Sequence, residues 1–272
     1  MDASTFNRLR ELAYQKAGID LGPGKEALVG ARVAKRVRAL GLADERGYAE
    51  LIAEDTSGLE LIEFLDAIST NFTSFFREAD HFEGLKALVR AKAAAGQRRF
   101  RFWSAACSSG EEPYTMAMTL AEVMGPGFDW RILATDISTR VLATAAEGEY
   151  ASAQVQTVPA LLRTRYFQHR HGVPEEEDVY RIDAGLKERV IFRRLNLSAP
   201  PLPMQGPLDA VFCRNVMIYF DTRVRQGLIS EVERLLCPGG LLFISHTETL
   251  TGVRSGLVLV QPSVYRKPGG TE

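Results

Sequence analysis

The segment from Phe100 to Met118, FRFWSAACSSGEEPYTMAM, has the composition of a ligand-binding strand, loop and helix. An apolar strand runs into the small residues between Ser104 and Gly110, and a helix opens with Glu111-Glu112-Pro113. Proline is tolerated in a first helical turn because the N–H it lacks has no partner there. Small side chains let a ligand lie close against the backbone, and the charge of the loop narrows the ligand. A dinucleotide would place its pyrophosphate at the helix N-terminus and call for several glycines, whereas this loop has one glycine followed by two carboxylates that repel phosphate. A nicotinamide dinucleotide is therefore disfavoured. S-adenosylmethionine has no phosphate and carries an ammonium and a sulfonium, which an acidic loop attracts.

The ribose of such a ligand needs a hydroxyl acceptor. Asp136 ends Ile132-Leu133-Ala134-Thr135-Asp136, 25 residues beyond Glu111, close to the offset at which an acidic residue grips ribose hydroxyls at the edge of a nucleotide-binding sheet. Plainer roles exist for all three acids: Glu111 and Glu112 complement a helix dipole, and Asp136 can cap the next helix. Asn196 and Asn215 follow two later strand-like runs, Arg193-Arg194-Leu195 and Phe212-Cys213-Arg214. An amide there can bond adenine edges or main chain, though asparagine is also an ordinary turn residue. Further upstream, Ser69-Thr70-Asn71-Phe72-Thr73-Ser74-Phe75-Phe76-Arg77-Glu78 interleaves Asn71, Thr73 and Arg77 with three phenylalanines. That mixture is too polar for a core helix and too aromatic for a solvated one, with capping by Asn71 or Thr73 as the alternative.

Two kinds of framework must position these residues. Residues 1 to about 90 carry helical periodicity, with Val29, Val33, Val37 and Leu40 on one stripe, and read as a small helical bundle. From Arg98 the pattern becomes short apolar runs separated by amphipathic stretches, as in strand-helix alternation around a parallel sheet. The expected strands are 100–105, 131–135, 190–195, 210–214 and 241–245, and the expected helices 112–123, 139–147 and 222–236, the last stopped by Pro238-Gly239-Gly240. Residues 256–267 read as two strands around Gln261-Pro262 that add antiparallel to the sheet. The interval 148–189 is too long for one crossover helix, and 166–182 has strand-like flanks around a polar turn, which implies an inserted hairpin.

Balanced charge, 33 Lys and Arg against 34 Asp and Glu, gives no broad positive field for nucleic acid. Cys107, Cys213 and Cys237 are odd in number with no close pair, so they read as buried thiols in a reducing compartment. No apolar run reaches the roughly 20 residues of a membrane span, and the start has no signal-peptide core, so the expected location is cytoplasmic. The four histidines, His81, His169, His171 and His246, show no dyad or metal spacing, and structural or surface roles are expected for them.

Four of these motifs, in order and across nearly the whole chain, resemble the chemotaxis receptor methyltransferase family, CheR: Ser69 to Arg77, the acidic loop Ser104 to Tyr114, the strand end Ala134 to Ile137, and Cys213 to Phe220. Ser245-His246-Thr247-Glu248 departs from the family's Gly-His-Ser-Glu and leaves the local role of that segment open. The resemblance implies an α/β fold: a Rossmann-like methyltransferase domain over 80–272, a small all-α N-terminal domain over 1–79, and an antiparallel β-subdomain inserted at about 166–183. It implies S-adenosylmethionine as cofactor, S-adenosylhomocysteine as product, and cofactor contacts from Asn71, Thr73, Arg77, Glu111, Asp136, Asn196, Leu197, Asn215 and Val216. The implied reaction is methyl transfer to glutamate carboxylates on the cytoplasmic helices of a chemoreceptor, with no membrane insertion or nucleic acid involved.

A glutamate with an ordinary pKa of about 4.3 is ionised at neutral pH and needs no general base. Positioning then becomes the catalytic task, and Arg77, Arg214 and Tyr219 are the candidates for it. Arg32, Lys35, Arg36 and Arg38 are expected to dock the acidic receptor, and the inserted hairpin to hold a receptor tail by strand addition. Two other readings compete: a non-catalytic module that binds adenosylmethionine or its product, and a nucleic-acid amino-methyltransferase. The second calls for an Asn/Asp-Pro-Pro-aromatic motif, and here Asn215 is followed by Val-Met-Ile.

Overall fold

A computed structural model describes residues 1–22, 24–69, 72–170 and 178–269. The chain opens with four helices, α1 (Ala3–Ala17), α2 (Glu26–Leu40), α3 (Glu45–Glu54) and α4 (Leu59–Ile68). Asp2 and Asp44 cap α1 and α3 by accepting main-chain N–H groups, and Gly18 and Gly41 end α1 and α2 in the left-handed conformation. The apolar stripes meet in one core of Phe6, Leu9, Val29, Val33, Tyr48, Phe64 and their neighbours. Leu40, expected on the buried stripe, is 40% exposed, because α2 ends there and turns outward at Gly41.

A linking helix, α5 (Asp80–Ala94), leads into β1 (Arg99–Ala105), α6 (Glu111–Ala121), β2 (Asp129–Asp136) and α7 (Thr139–Glu147). The inserted region follows as β3 (Glu149–Ala151), α8 (Ser152–Val155), α9 (Ala160–Tyr166), β4 (Phe167–Arg170), β5 (Val179–Ile182) and α10 (Ala184–Lys187). The chain then returns through β6 (Val190–Arg194), β7 (Leu208–Cys213), a 3-10 turn (Met217–Tyr219), α11 (Thr222–Leu235), β8 (Leu236–Phe243), β9 (Val258–Gln261) and β10 (Val264–Arg266). The seven-stranded sheet runs β6-β2-β1-β7-β8-β10-β9, with β10 and β9 antiparallel as expected from residues 256–267.

Alternation along β1 feeds two cores. Phe100 and Phe102 face α5 and α6, whereas Trp103 and Ala105 face α11. Sequence order reverses between β1 and β7, so a crevice opens above the carboxyl ends of those strands, where open α/β sheets hold their ligands.

The structure corrects three local expectations. Pro238-Gly239-Gly240 lies inside β8 and does not stop α11, which ends at Leu235. Pro238 is tolerated near the start of the strand, while Gly240 is packed against the Cys237 and Leu208 carbonyls, where a Cβ would clash. The inserted sheet has three strands, β3-β5-β4, and so begins at Glu149 rather than near 166; three residues of β3 are too short for periodicity to announce. Cys107 and Cys213 are buried, but Cys237 is only half-buried and accepts from Lys92 Nζ at 2.9 Å.

Candidate functional site

Above the β1–β7 crevice lies a cavity of about 410 Å³, roofed by the helical domain and the 72–77 segment. Its wall includes Thr73, Arg77, Asp136, Asn196, Leu197, Arg214, Asn215, Val216 and Tyr219, so nine of the residues singled out from the sequence converge on one volume. Asn71 falls outside the described residues. Glu111 is the exception among the rest: it is 3% exposed and lies behind the wall, where its carboxylate accepts from Ser109 Oγ at 2.7 Å and from Gln154. The acid on the wall is its neighbour Glu112. Successive helical residues point about 100° apart, and sequence spacing alone does not say which of two adjacent acids faces the ligand.

The β1–α6 loop is strained in a way that serves the site. Ala106 and Ser108 have φ of 64° and 48°, and Gly110 has φ 98°, where an added Cβ would stand 2.9 Å from both Ala145 Cβ and Tyr150 Oη. Asp136 braces this loop: Oδ2 accepts the Ser108 N–H at 2.9 Å and Oδ1 the Ser138 N–H at 3.0 Å. The same carboxylate borders the cavity, where it can accept from a hydroxyl donor. Burial raises the Asp136 carboxyl above its ordinary value against the pull of those N–H groups. Desolvation likewise raises Glu112, with Arg214 and the Ser104 hydroxyl opposing it.

Arg77, also on the wall, donates to the Phe72 carbonyl at 3.0 Å and lies over the Phe72 ring. Arg214 sits deeper. It is 5% exposed, its Nε stands 3.4 Å from Glu78 and 3.5 Å from Glu112, it donates to the Arg77 carbonyl, and its guanidinium stacks near Phe82 and Phe212. A guanidinium so enclosed braces the wall. Tyr219 is half-buried at the rim, and its carbonyl accepts from the Asp20 N–H at 2.7 Å.

The helical domain is fastened to this wall at several points. Asp66 Oδ2 accepts from Ser138 Oγ and Arg140, Tyr14 donates to Asp221, and Asn196 donates to the Lys16 carbonyl while its Oδ1 accepts from Ser198. Asn196 thus lines the cavity with an amide already engaged in a turn and an interdomain bond. Of the four cations on α2, Arg32 donates to the Ala67 and Ser69 carbonyls and Arg36 pairs with Glu60 and Glu63, leaving Lys35 and Arg38 as the exposed members.

Sequence spacing missed two features. Glu78 stands next to Arg77 in the quoted motif, and its role became visible only when β7 brought Arg214 beside it. The rings of His81 and His246 lie 4.8 Å apart, both bonded to Ser263 Oγ, with Glu78 close by. Burial, aided by Arg214, lowers His81 to about 4, so it is neutral at physiological pH; the guanidinium on Glu78 also opposes a metal cation there. The structural role expected of His81 and His246 fits this packing, but their pairing was not legible in the sequence.

Residues 71–265 match the family model described as CheR methyltransferase, SAM binding domain, and residues 4–69 match that of the CheR methyltransferase, all-alpha domain. Among curated proteins, the chain is 39% identical over 262 residues to a chemotaxis protein methyltransferase of Escherichia coli K12, covering 96% of this chain and 89% of that one. It is 38% identical to chemotaxis protein methyltransferase 2 of Pseudomonas aeruginosa, with 96% and 91% covered, and 36% identical to the chemotaxis protein methyltransferase of Borreliella burgdorferi, with 96% and 93% covered.

Proposed function

This chain belongs to the CheR methyltransferase family, and from that membership we propose that it uses S-adenosylmethionine in the cytoplasm to methylate glutamate side chains on the helices of a chemoreceptor. The observation that carries this reading is the mixed charge of the cavity: Asp136 and Glu112 stand on a wall that also carries Arg77 and Tyr219. The acids suit a cation with a ribose, and the guanidinium and phenol an incoming anion.

The donor set fits the cofactor. Asp136 can accept from the ribose hydroxyls, Glu112 supplies negative charge for an ammonium or sulfonium, and Asn196, Leu197, Asn215 and Val216 enclose the neighbouring wall, with Thr73 on the roof. When bound, S-adenosylmethionine supplies a methyl group activated by its sulfonium. The protein's part is to orient and exclude water. An acceptor carboxylate is already ionised near neutral pH, so no side chain need take its proton, and holding it in line can supply about 7 to 11 kcal/mol in favourable cases. Arg77 and Tyr219 are assigned to the acceptor, and Arg214 to holding Arg77 through its carbonyl.

Among the described residues no helix is long and apolar enough to cross a membrane. The receptor is assigned to the face bearing Lys35 and Arg38, and a receptor tail to the three-stranded insert; residues 171–177 lie outside the described residues. Incubation with methyl-labelled cofactor and receptor-containing membranes tests the reaction: base-labile radioactive methanol released from the receptor supports it. Cofactor binding without base-labile label would leave the non-catalytic module as the correct reading.

A further inference from the structure

Ser245-His246-Thr247-Glu248 follows β8 and does not line the cavity. Its side chains nevertheless organise the wall. The carboxylate of Glu248 accepts the Asn215 N–H through Oε2 at 3.0 Å and the Met217 N–H through Oε1 at 2.9 Å, and Oε2 also takes the Ser245 N–H at 2.9 Å. Ser245 Oγ accepts from the Asn215 side-chain amide at 2.8 Å and donates to Glu78 Oε1 at 2.8 Å.

These bonds fall where the backbone most needs them. Asn215 has φ 58°, in the left-handed region that asparagine tolerates better than other residues with a Cβ but that is still less favourable than the extended or right-handed regions. It begins the loop that contributes Asn215, Val216, Ile218 and Tyr219 to the cavity, and the 3-10 turn within that loop leaves N–H groups without helical partners. A carboxylate spanning the amides of residues 215 and 217 fixes both ends of the strained step. Through Ser245 the same segment reaches Glu78, whose carboxylate holds Arg214.

We infer that Glu248 is a positioning residue for methyl transfer: from behind the cavity wall it clamps the Asn215–Tyr219 loop in its ligand-binding form, and Ser245 couples that loop to the Glu78–Arg214 brace. This rests on the cofactor reading of the cavity, but not on the identity of the acceptor.

The test is Glu248→Gln, which keeps size and shape but turns one acceptor into an NH2 group facing an N–H donor. Three quantities are measured: affinity for S-adenosylhomocysteine by calorimetry, kcat for receptor methylation, and hydrogen exchange at the 215 and 217 amides. The clamp predicts affinity lower by about tenfold or more and kcat lower by up to about a hundredfold. It also predicts faster exchange confined to this loop, with a cooperative melting transition retained. Glu248→Asp, which keeps the charge one methylene shorter, should recover part of both losses. Normal affinity and kcat in a folded Glu248→Gln protein overturn the inference, as does a loss that Glu248→Asp does not relieve at all. If Glu248→Gln does not fold, Ser245→Ala carries the same readouts, and unaltered affinity with unaltered exchange at residue 215 overturns it. Absence of receptor methylation by the unaltered protein would count against the acceptor assignment alone, because S-adenosylhomocysteine affinity still reports on the clamp.

Discussion

The loop after β1 and the loop after β7 flank the same crevice and solve the same mechanical problem. Each leaves a buried parallel strand, enters the left-handed region at non-glycine residues, Ala106 and Ser108 in one and Asn215 in the other, and is held by a carboxylate at or just beyond the end of another strand that accepts main-chain N–H from the loop. The carboxylates differ in what remains of them. Asp136 borders the cavity as well as accepting the Ser108 and Ser138 N–H groups, whereas Glu248 accepts those of Ser245, Asn215 and Met217 and stands outside it. A carboxylate can therefore be a ligand group that also braces a loop, or a brace alone, and its line of access to the cavity separates the two.

The comparison is broken most directly at Asp136. Asp136→Ala removes both the ribose acceptor and the brace of Ser108, and calorimetry should show adenosylmethionine affinity reduced by about a hundredfold or more; a loss of only about tenfold, as expected for Glu248, would mean that Asp136 is a brace alone, and retained affinity would remove it from the site. The next effect in size separates the adjacent acids after β1. Glu112→Gln should weaken binding by about tenfold, the order expected for losing one charged partner, while Glu111→Gln, altering a group behind the wall, should leave affinity within about twofold. A reversed order would show that Glu111 turns inward when ligand is present.

A pH series sharpens the same contrast. Burial raises Asp136 and Glu112 in the free protein, and a cationic ligand that binds their ionised forms loses affinity as pH falls through those raised values. The decline should therefore begin above the ordinary carboxylate range, with proton release on binding at mildly acid pH; affinity flat down to the ordinary range would remove both acids from the ligand. The smallest effect lies far from either loop. Replacing Lys35 and Arg38 together by alanine should raise the apparent KM for receptor about two- to fivefold without altering cofactor affinity, as for solvent-exposed charges that steer a partner. Because Arg32 and Arg36 are bonded within the helical domain, changing them should lower its melting temperature instead.

Much of this molecule follows from the amino-acid order alone. Apolar spacing sets the helical domain and the strand-helix alternation, because burying one face of each element dominates its local energetics. The small-residue loop at 104–110, with two acids after it and an aspartate at the next strand end, disfavours a phosphate ligand by charge and suits a cationic one. The inserted sheet was legible in its second and third strands, Phe167–Arg170 and Val179–Ile182, but not in the three-residue Glu149–Ala151.

Tertiary structure decided which of these groups meet. It turned Glu112 rather than Glu111 to the cavity, buried Arg214 between Glu78 and Glu112, spent Arg32 and Arg36 inside their own domain, and brought Glu248 to the amides of a loop 31 to 33 residues earlier. The physical reason is common to all four. Periodicity reports which side of an element avoids water, but a hydrogen bond or ion pair between distant segments is fixed by sheet order and by the direction in which each loop leaves its strand, and neither is encoded in local residue spacing.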